Sequence, residues 1–170
     1  MRPQDIVVLL KKTTSRGRYM IKKELAASLH LSASEISESL ERSRVAKLVD
    51  HSKSRVNIMA LKEFLQYGIK YVYPLTPGKV VRGIATASAA PPINRYLSSN
   101  GDKFVWPTKN GSERGLEILP LYPTVTEAIQ KDQELYELLV IVDSLRIGTP
   151  REQAIALAEL AKRFATYGKE

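Results

Sequence analysis

Apolar positions recur at helical spacing near the start of the chain, in short runs separated by polar turns. Asp5 to Lys12, opened by Pro3, reads as a first helix despite its β-branched residues, because proline is preorganised for the first helical position. Arg18-Tyr19-Met20 suits a short strand. Lys22 to Leu29 suits a second helix with Leu25, Ala26 and Leu29 turned inward. His30-Leu31 makes a turn, and Ser32-Ala33-Ser34-Glu35 has the spacing of a capping box that opens a third helix, with Ile36 and Leu40 on its buried stripe. Residues 50–57 (DHSKSRVN) are short, polar and basic, as a β-ribbon turn would be. Asn57 can cap a fourth helix that runs through Tyr67 and closes at Gly68.

The pattern changes at Pro74. Residues 74–123 hold seven of the nine prolines and five of the nine glycines, which excludes long helices there. Phe104-Val105-Trp106, then Asn110-Gly111, then residues 116–119 (LEIL) suggest a weak β-hairpin with an irregular turn. Helical punctuation returns after Pro123. Thr124 with Glu127, and Thr149 with Glu152, have capping-box spacing, and Asp132 can cap a helix that runs to Arg146 and stops at Gly148. Residues 138–142 (LLVIV) are apolar on every side, so that helix needs cover all round. The last helix offers Ala154, Ile155, Ala158, Leu160, Ala161 and Phe164 as a close-packing surface. The two C-terminal helices then serve either as an intramolecular lid or as a dimerisation element that pairs two copies in a homodimer.

These elements give a mainly α fold with a little β (α+β), in three parts: residues 1–73, a proline- and glycine-rich segment 74–123, and C-terminal helices 124–170. The net charge of +8 is uneven, with 14 Lys/Arg against 7 Asp/Glu in residues 1–73 and 12 against 11 in the rest. Between Ile6 and Lys23, six basic residues meet no acid in the sequence, which points to a polyanionic partner. There is no cysteine, and no run of about 18 apolar residues such as a membrane span needs. The N-terminus lacks a signal-peptide pattern, so a cytoplasmic protein without a membrane partner is expected. His30 and His51 have no metal-ligating companions, and no phosphate loop, nucleophile elbow or nucleophile-base pair can be assembled. No metal, cofactor or enzymatic activity is expected.

The stretch from Glu24 to Asp50, ELAASLHLSASEISESLERSRVAKLVD, resembles the winged helix-turn-helix of MarR-type transcriptional regulators, over about residues 3 to 67. That resemblance implies a third helix in the major groove of double-stranded DNA, the start of the second helix near phosphates, and a wing along the backbone. It assigns Lys22 and Lys23, Ser32, Ser34, Ser37, Glu38 and Arg42, and Lys53 with Arg55 to DNA, with Arg16 and Arg18 in the basic run beside them. Ser43 stands where a third core leucine is usual, Lys47 where glycine is common, and Glu38 and Glu41 where bases are frequent.

With Ile36 and Leu40 buried, a 100° step per residue turns Ser34, Ser37, Glu38, Glu41 and Arg42 outward. Charges from Ser32 to Val49 cancel, so phosphate affinity has to come from the basic flanks while Ser34, Ser37 and Glu38 discriminate bases. The favoured function is a DNA-binding regulator, acting as a repressor. The alternative is a protein-binding module, such as an antitoxin or accessory subunit, whose proline-rich segment wraps a partner. Asp143 and Arg146 are expected to pair at i,i+3. Trp106, Tyr71, Tyr73, Tyr96 and Tyr122 line a small effector pocket or simply pack an irregular segment.

Overall fold

The structure, a computed structural model, describes residues 1–15, 20–98 and 101–167. It is a mixed α/β fold, mostly helical, with one small sheet. Four helices open the chain: α1 (Pro3–Thr14), α2 (Lys22–Leu29), α3 (Ala33–Val45) and α4 (Ile58–Tyr67). Their ends follow local chemistry. Ser32 accepts from the Glu35 amide while the Glu35 carboxylate accepts from the Ser32 amide, and the Asn57 side chain accepts from the Ala60 amide. His30 ends α2 with φ 53°, and Lys47 follows α3 with φ 59°, the left-handed conformation that explains why glycine suits this position. Gly68 ends α4 as expected, its amide donating to the Phe64 carbonyl, but with φ −109° it is not left-handed, and the chain continues through a further turn, α5 (Ile69–Val72).

Between α3 and α4 a tight turn is closed by a single bridge, Val49 to Val56. Asp50 organises it, accepting from the amides of Ser54 and Arg55 and from the Ser52 hydroxyl. The expected short strand before α2 begins at Arg18 and Tyr19, which lie outside the described residues; Met20 is in no strand.

The proline-rich segment folds into a three-stranded barrel. Strand β1 (Val80–Thr86) lies between its partners and is antiparallel to both: its first half pairs with β3 (Glu113–Glu117) and its second with β2 (Phe104–Pro107). The outer edges of β2 and β3 then meet in parallel, Phe104 opposite Leu116, which closes the sheet on itself. The expected β2–β3 hairpin is therefore wrong. Two strands that flank a common antiparallel neighbour must run in the same direction, and residues 108–112 cross the barrel end instead of making a two-residue turn. Gly83 belongs to both halves of β1, where a Cβ would strike the Trp106 main chain, and Gly111 lies so close to Gly83 that a Cβ there would strike the Gly83 main chain. Asn110-Gly111 thus serves backbone packing.

After the barrel come a single turn, α6 (Val125–Ala128), and two long helices, α7 (Gln133–Ile147) and α8 (Pro150–Tyr167). Thr124 does not cap α6; its hydroxyl donates to the Leu29 carbonyl, pinning this segment to the end of α2. Asp132 caps α7 through the Leu135 amide, and Thr149 with Glu152 forms the box that opens α8. Residues 138–145 of α7 are all buried, covered by α1, α5, α8, β1 and the 3-10 turns of residues 87–96. The cover that its sequence demands comes from its own chain.

One polar node sits inside this apolar packing. Asp143 Oδ2 accepts from Trp106 Nε1 at 2.7 Å and from the Thr86 hydroxyl at 2.9 Å, and Oδ1 accepts from Arg146 at 2.9 Å. Arg146 in turn donates to the Tyr73 carbonyl. The expected Asp143–Arg146 pair is present, and it also ties the barrel and residue 73 to α7. Burial pushes the Asp143 carboxyl up, against the opposing pull of Arg146, Thr86 and Trp106.

Removal of this carboxylate by Asp143→Ala leaves the buried Thr86 and Trp106 donors without their acceptor and the Arg146 guanidinium without its counter-charge, which is expected to cost about 3–5 kcal/mol. Urea unfolding followed by the fluorescence of Trp106, the sole tryptophan, measures both the loss and the loosening of the barrel from α7.

Candidate nucleic-acid interface

Helix α3 presents a polar outer side. Ser32, Ser34 and Glu38 are exposed, Ser37 and Glu41 half-buried, and Ile36 and Leu40 buried beneath. Its three acids, which would repel phosphate if left bare, are each engaged within the chain. Glu35 closes the cap on Ser32 and accepts from the Tyr122 hydroxyl at 3.0 Å, which together lower its pKa. Glu38 faces Arg42 at 3.5 Å. Glu41 lies 2.6 Å from both Arg44 and Lys53, and hydrogen bonds to these two cations pull its carboxyl down to about 2.

Two expected DNA contacts have other work. Arg42 turns inward: its guanidinium makes a two-pronged contact with Asp5 of α1, 2.8 and 2.9 Å long. Burial alone would raise the Asp5 carboxyl, but the hydrogen bonds from Arg42 and from the Arg2 amide, with the charge of Arg42, hold it below its ordinary 3.8. The helical step turns Arg42 outward, and the buried acid draws it inward instead. Lys53 is held to Glu41 and so fastens the 50–55 turn to α3. Arg55 is exposed, and its side chain is in no ion pair among the described residues.

The basic run divides in the same way. Lys11 pairs with Asp132 at 2.5 Å, and Lys12 is buried, which pushes its amine down against the charge of Asp50. Lys22 and Lys23 are exposed at the start of α2, while Arg16 and Arg18 lie outside the described residues. Exposed cations around α3 are thus Lys22, Lys23, Lys47 and Arg55. Lys47, at a position where glycine is common, has a left-handed backbone and is exposed just past the end of α3.

Tyr122 and Thr124 also belong to this region, bound to Glu35 and to the end of α2. They lie 87 and 95 residues away from these partners, and no local pattern signals such contacts. The five aromatic residues around the proline-rich segment do not converge on one pocket. Trp106 is buried beside the edge of Tyr136, Tyr96 lies over α8, Tyr71 is exposed, and Tyr122 joins α3. Ser43 is buried between α3 and its neighbours with an unpartnered hydroxyl.

Among the described residues, no cluster of His, Asp and Glu suited to a metal ion occurs, and no helix is long and apolar enough to cross a membrane. No protein-family model, curated protein or solved structure matches this chain.

The Asp5–Arg42 pair gives a pH prediction. A carboxyl held below its unfolded value stabilises the fold above about pH 3.8 and loses that contribution as the pH falls through its folded pKa. Asp5→Asn should therefore lower stability by about 3 kcal/mol at neutral pH and shrink the acid limb of a stability–pH profile below pH 4.

Proposed function

We propose that this chain is a DNA-binding transcriptional regulator, acting as a repressor, in which residues 1–67 form a winged helix-turn-helix and α3 enters the major groove. The internal satisfaction of the α3 acids carries this reading. Glu35, Glu38 and Glu41 are matched by the cap with Tyr122, by Arg42, and by Arg44 with Lys53. Their repulsion toward phosphate is thereby reduced at short range. Ser34, Ser37 and Glu38 then offer polar atoms to base edges, a glutamate suiting the amino group of cytosine. Lys22, Lys23 and Arg55 supply phosphate contacts, with Lys53 positioning the wing against α3.

The partner-wrapping alternative drew on a proline-rich segment with little packing of its own. That segment buries Val105, Trp106 and Ile118 and is bonded to α7, so its motivation is lost. A homodimer on a two-fold DNA site remains part of the proposal. Since α7 is enclosed, the pairing surface would be the outer side of α8, where Ala154, Ala158 and Ala165 are exposed.

Gel-shift titrations with the DNA upstream of its own gene test the reading. Lys22→Glu with Lys23→Glu should weaken binding to every duplex and reduce the slope of log affinity against log salt by about 2, whereas Glu38→Gln should change sequence preference by about 1–3 kcal/mol at one base pair. Binding that never exceeds a non-specific level at any salt concentration contradicts it. Light scattering tests the pairing: Ala158→Glu should leave a folded monomer.

A further inference from the structure

Arg82 on β1 and Arg114 on β3 stand directly opposite each other in the antiparallel register. Residues so paired project from the same side of a sheet with Cβ atoms about 5 Å apart, and like charges in that position repel. Both arginines are exposed. Among the described residues, neither guanidinium has a carboxylate within ion-pair distance. The neighbouring acid, Glu113, projects from the opposite side of β3 and is held by Lys103 at 2.8 Å.

A third cation joins them. Lys109 is exposed on the crossing 108–111, whose start is bonded to the Arg82 carbonyl through the Thr108 amide and whose end packs on Gly83. Each arginine is followed by a glycine, Gly83 and Gly115, where a Cβ would strike main chain, of Trp106 on β2 and of Lys103 just before β2. The register that opposes the two charges is therefore fixed by packing and cannot slip to relieve them.

We infer that Arg82 and Arg114, with Lys109 beside them, bind a phosphate group. Two guanidinium forks on one face suit the oxygens of a single phosphate, which also removes their mutual repulsion. The phosphate is carried either by a nucleic-acid backbone, which deepens the DNA-binding reading and rests on it, or by a small phosphate-containing molecule, which does not. Sheet and barrel are separate from α3, so this site would add to the footprint of the helix.

The test uses the full chain and the double variant Arg82→Gln/Arg114→Gln, whose melting temperature should equal or exceed that of the parent because a repulsion is removed. In one arm, inorganic pyrophosphate at constant ionic strength should raise the melting temperature of the parent by a few degrees and leave the variant unmoved. In the other, a 30-base-pair duplex should bind the variant with a salt slope smaller by about 2 than the parent's. An effect on the duplex slope identifies the nucleic-acid backbone as the source; an effect of pyrophosphate alone identifies a small phosphate. Equal behaviour of the two proteins in both arms overturns the site. If that happens while Lys22 and Lys23 still govern duplex binding, the site fails and the DNA reading stands. If the parent binds no duplex but responds to pyrophosphate through the pair, the reading fails and the site stands.

Discussion

A helix that is apolar on every side cannot lie at a surface, and α7 imposes that constraint on the rest of the molecule. Residues 138–145 need cover around the full circumference, so α1 comes to one side, α8 to another, and the barrel with its 3-10 turns to a third. Full enclosure leaves no solvent for a polar group, and Asp143 meets that condition by taking three donors from three places: Thr86, Trp106 and Arg146. Hydrophobic burial brings these elements together without a preferred orientation. The Asp143 node supplies direction, since β1 and β2 have to dock on α7 so that Thr86 and Trp106 both reach the carboxylate.

The same rule governs charge at the other end of the chain. Asp5, fully buried in α1, draws Arg42 inward and so sets how α3 lies on α1. Once α3 is placed, its remaining acids sort themselves among local cations, and Lys53 carries the adjoining turn with it. The exposed positive charge left over is less than the composition suggests, because Lys11 and Lys12 are used within the fold. It includes the start of α2, Lys47 and Arg55, and the barrel.

Features determined within one helical turn were legible in the sequence. The caps at Ser32, Asn57, Asp132 and Thr149 all form, the boundaries of α2 are as expected, and Asp143 pairs with Arg146. Features determined by distant partners were not. Arg42 and Asp5 are 37 residues apart, as are Trp106 and Asp143, so neither the inward turn of Arg42 nor the lock on the barrel left a local trace. Asn110-Gly111 misled because glycine serves tight turns and close backbone approach equally well, and only the strand order distinguishes them. Thr124 has the spacing of a cap, but a carbonyl at the end of α2 competes successfully for its hydroxyl. At the candidate interface, exposure of Ser34 and Glu38 followed from helical periodicity, and Glu38–Arg42 and Glu41–Arg44 have local spacing, whereas the further partners Lys53 and Tyr122 come from the turn after α3 and from a distant segment.

What emerges is a small helical unit whose outward polar residues are held in place by buried pairs, joined to a barrel locked on the central helix. The proposed function requires α3 to read base edges while cations around it hold phosphates. Selection of bound duplexes from a random-sequence library, followed by sequencing, tests that directly. Enrichment of a defined motif whose key positions change when Ser34 and Ser37 are replaced by alanine is the expected result. Recovery of unenriched sequence, or of a motif unaffected by those replacements, would contradict it.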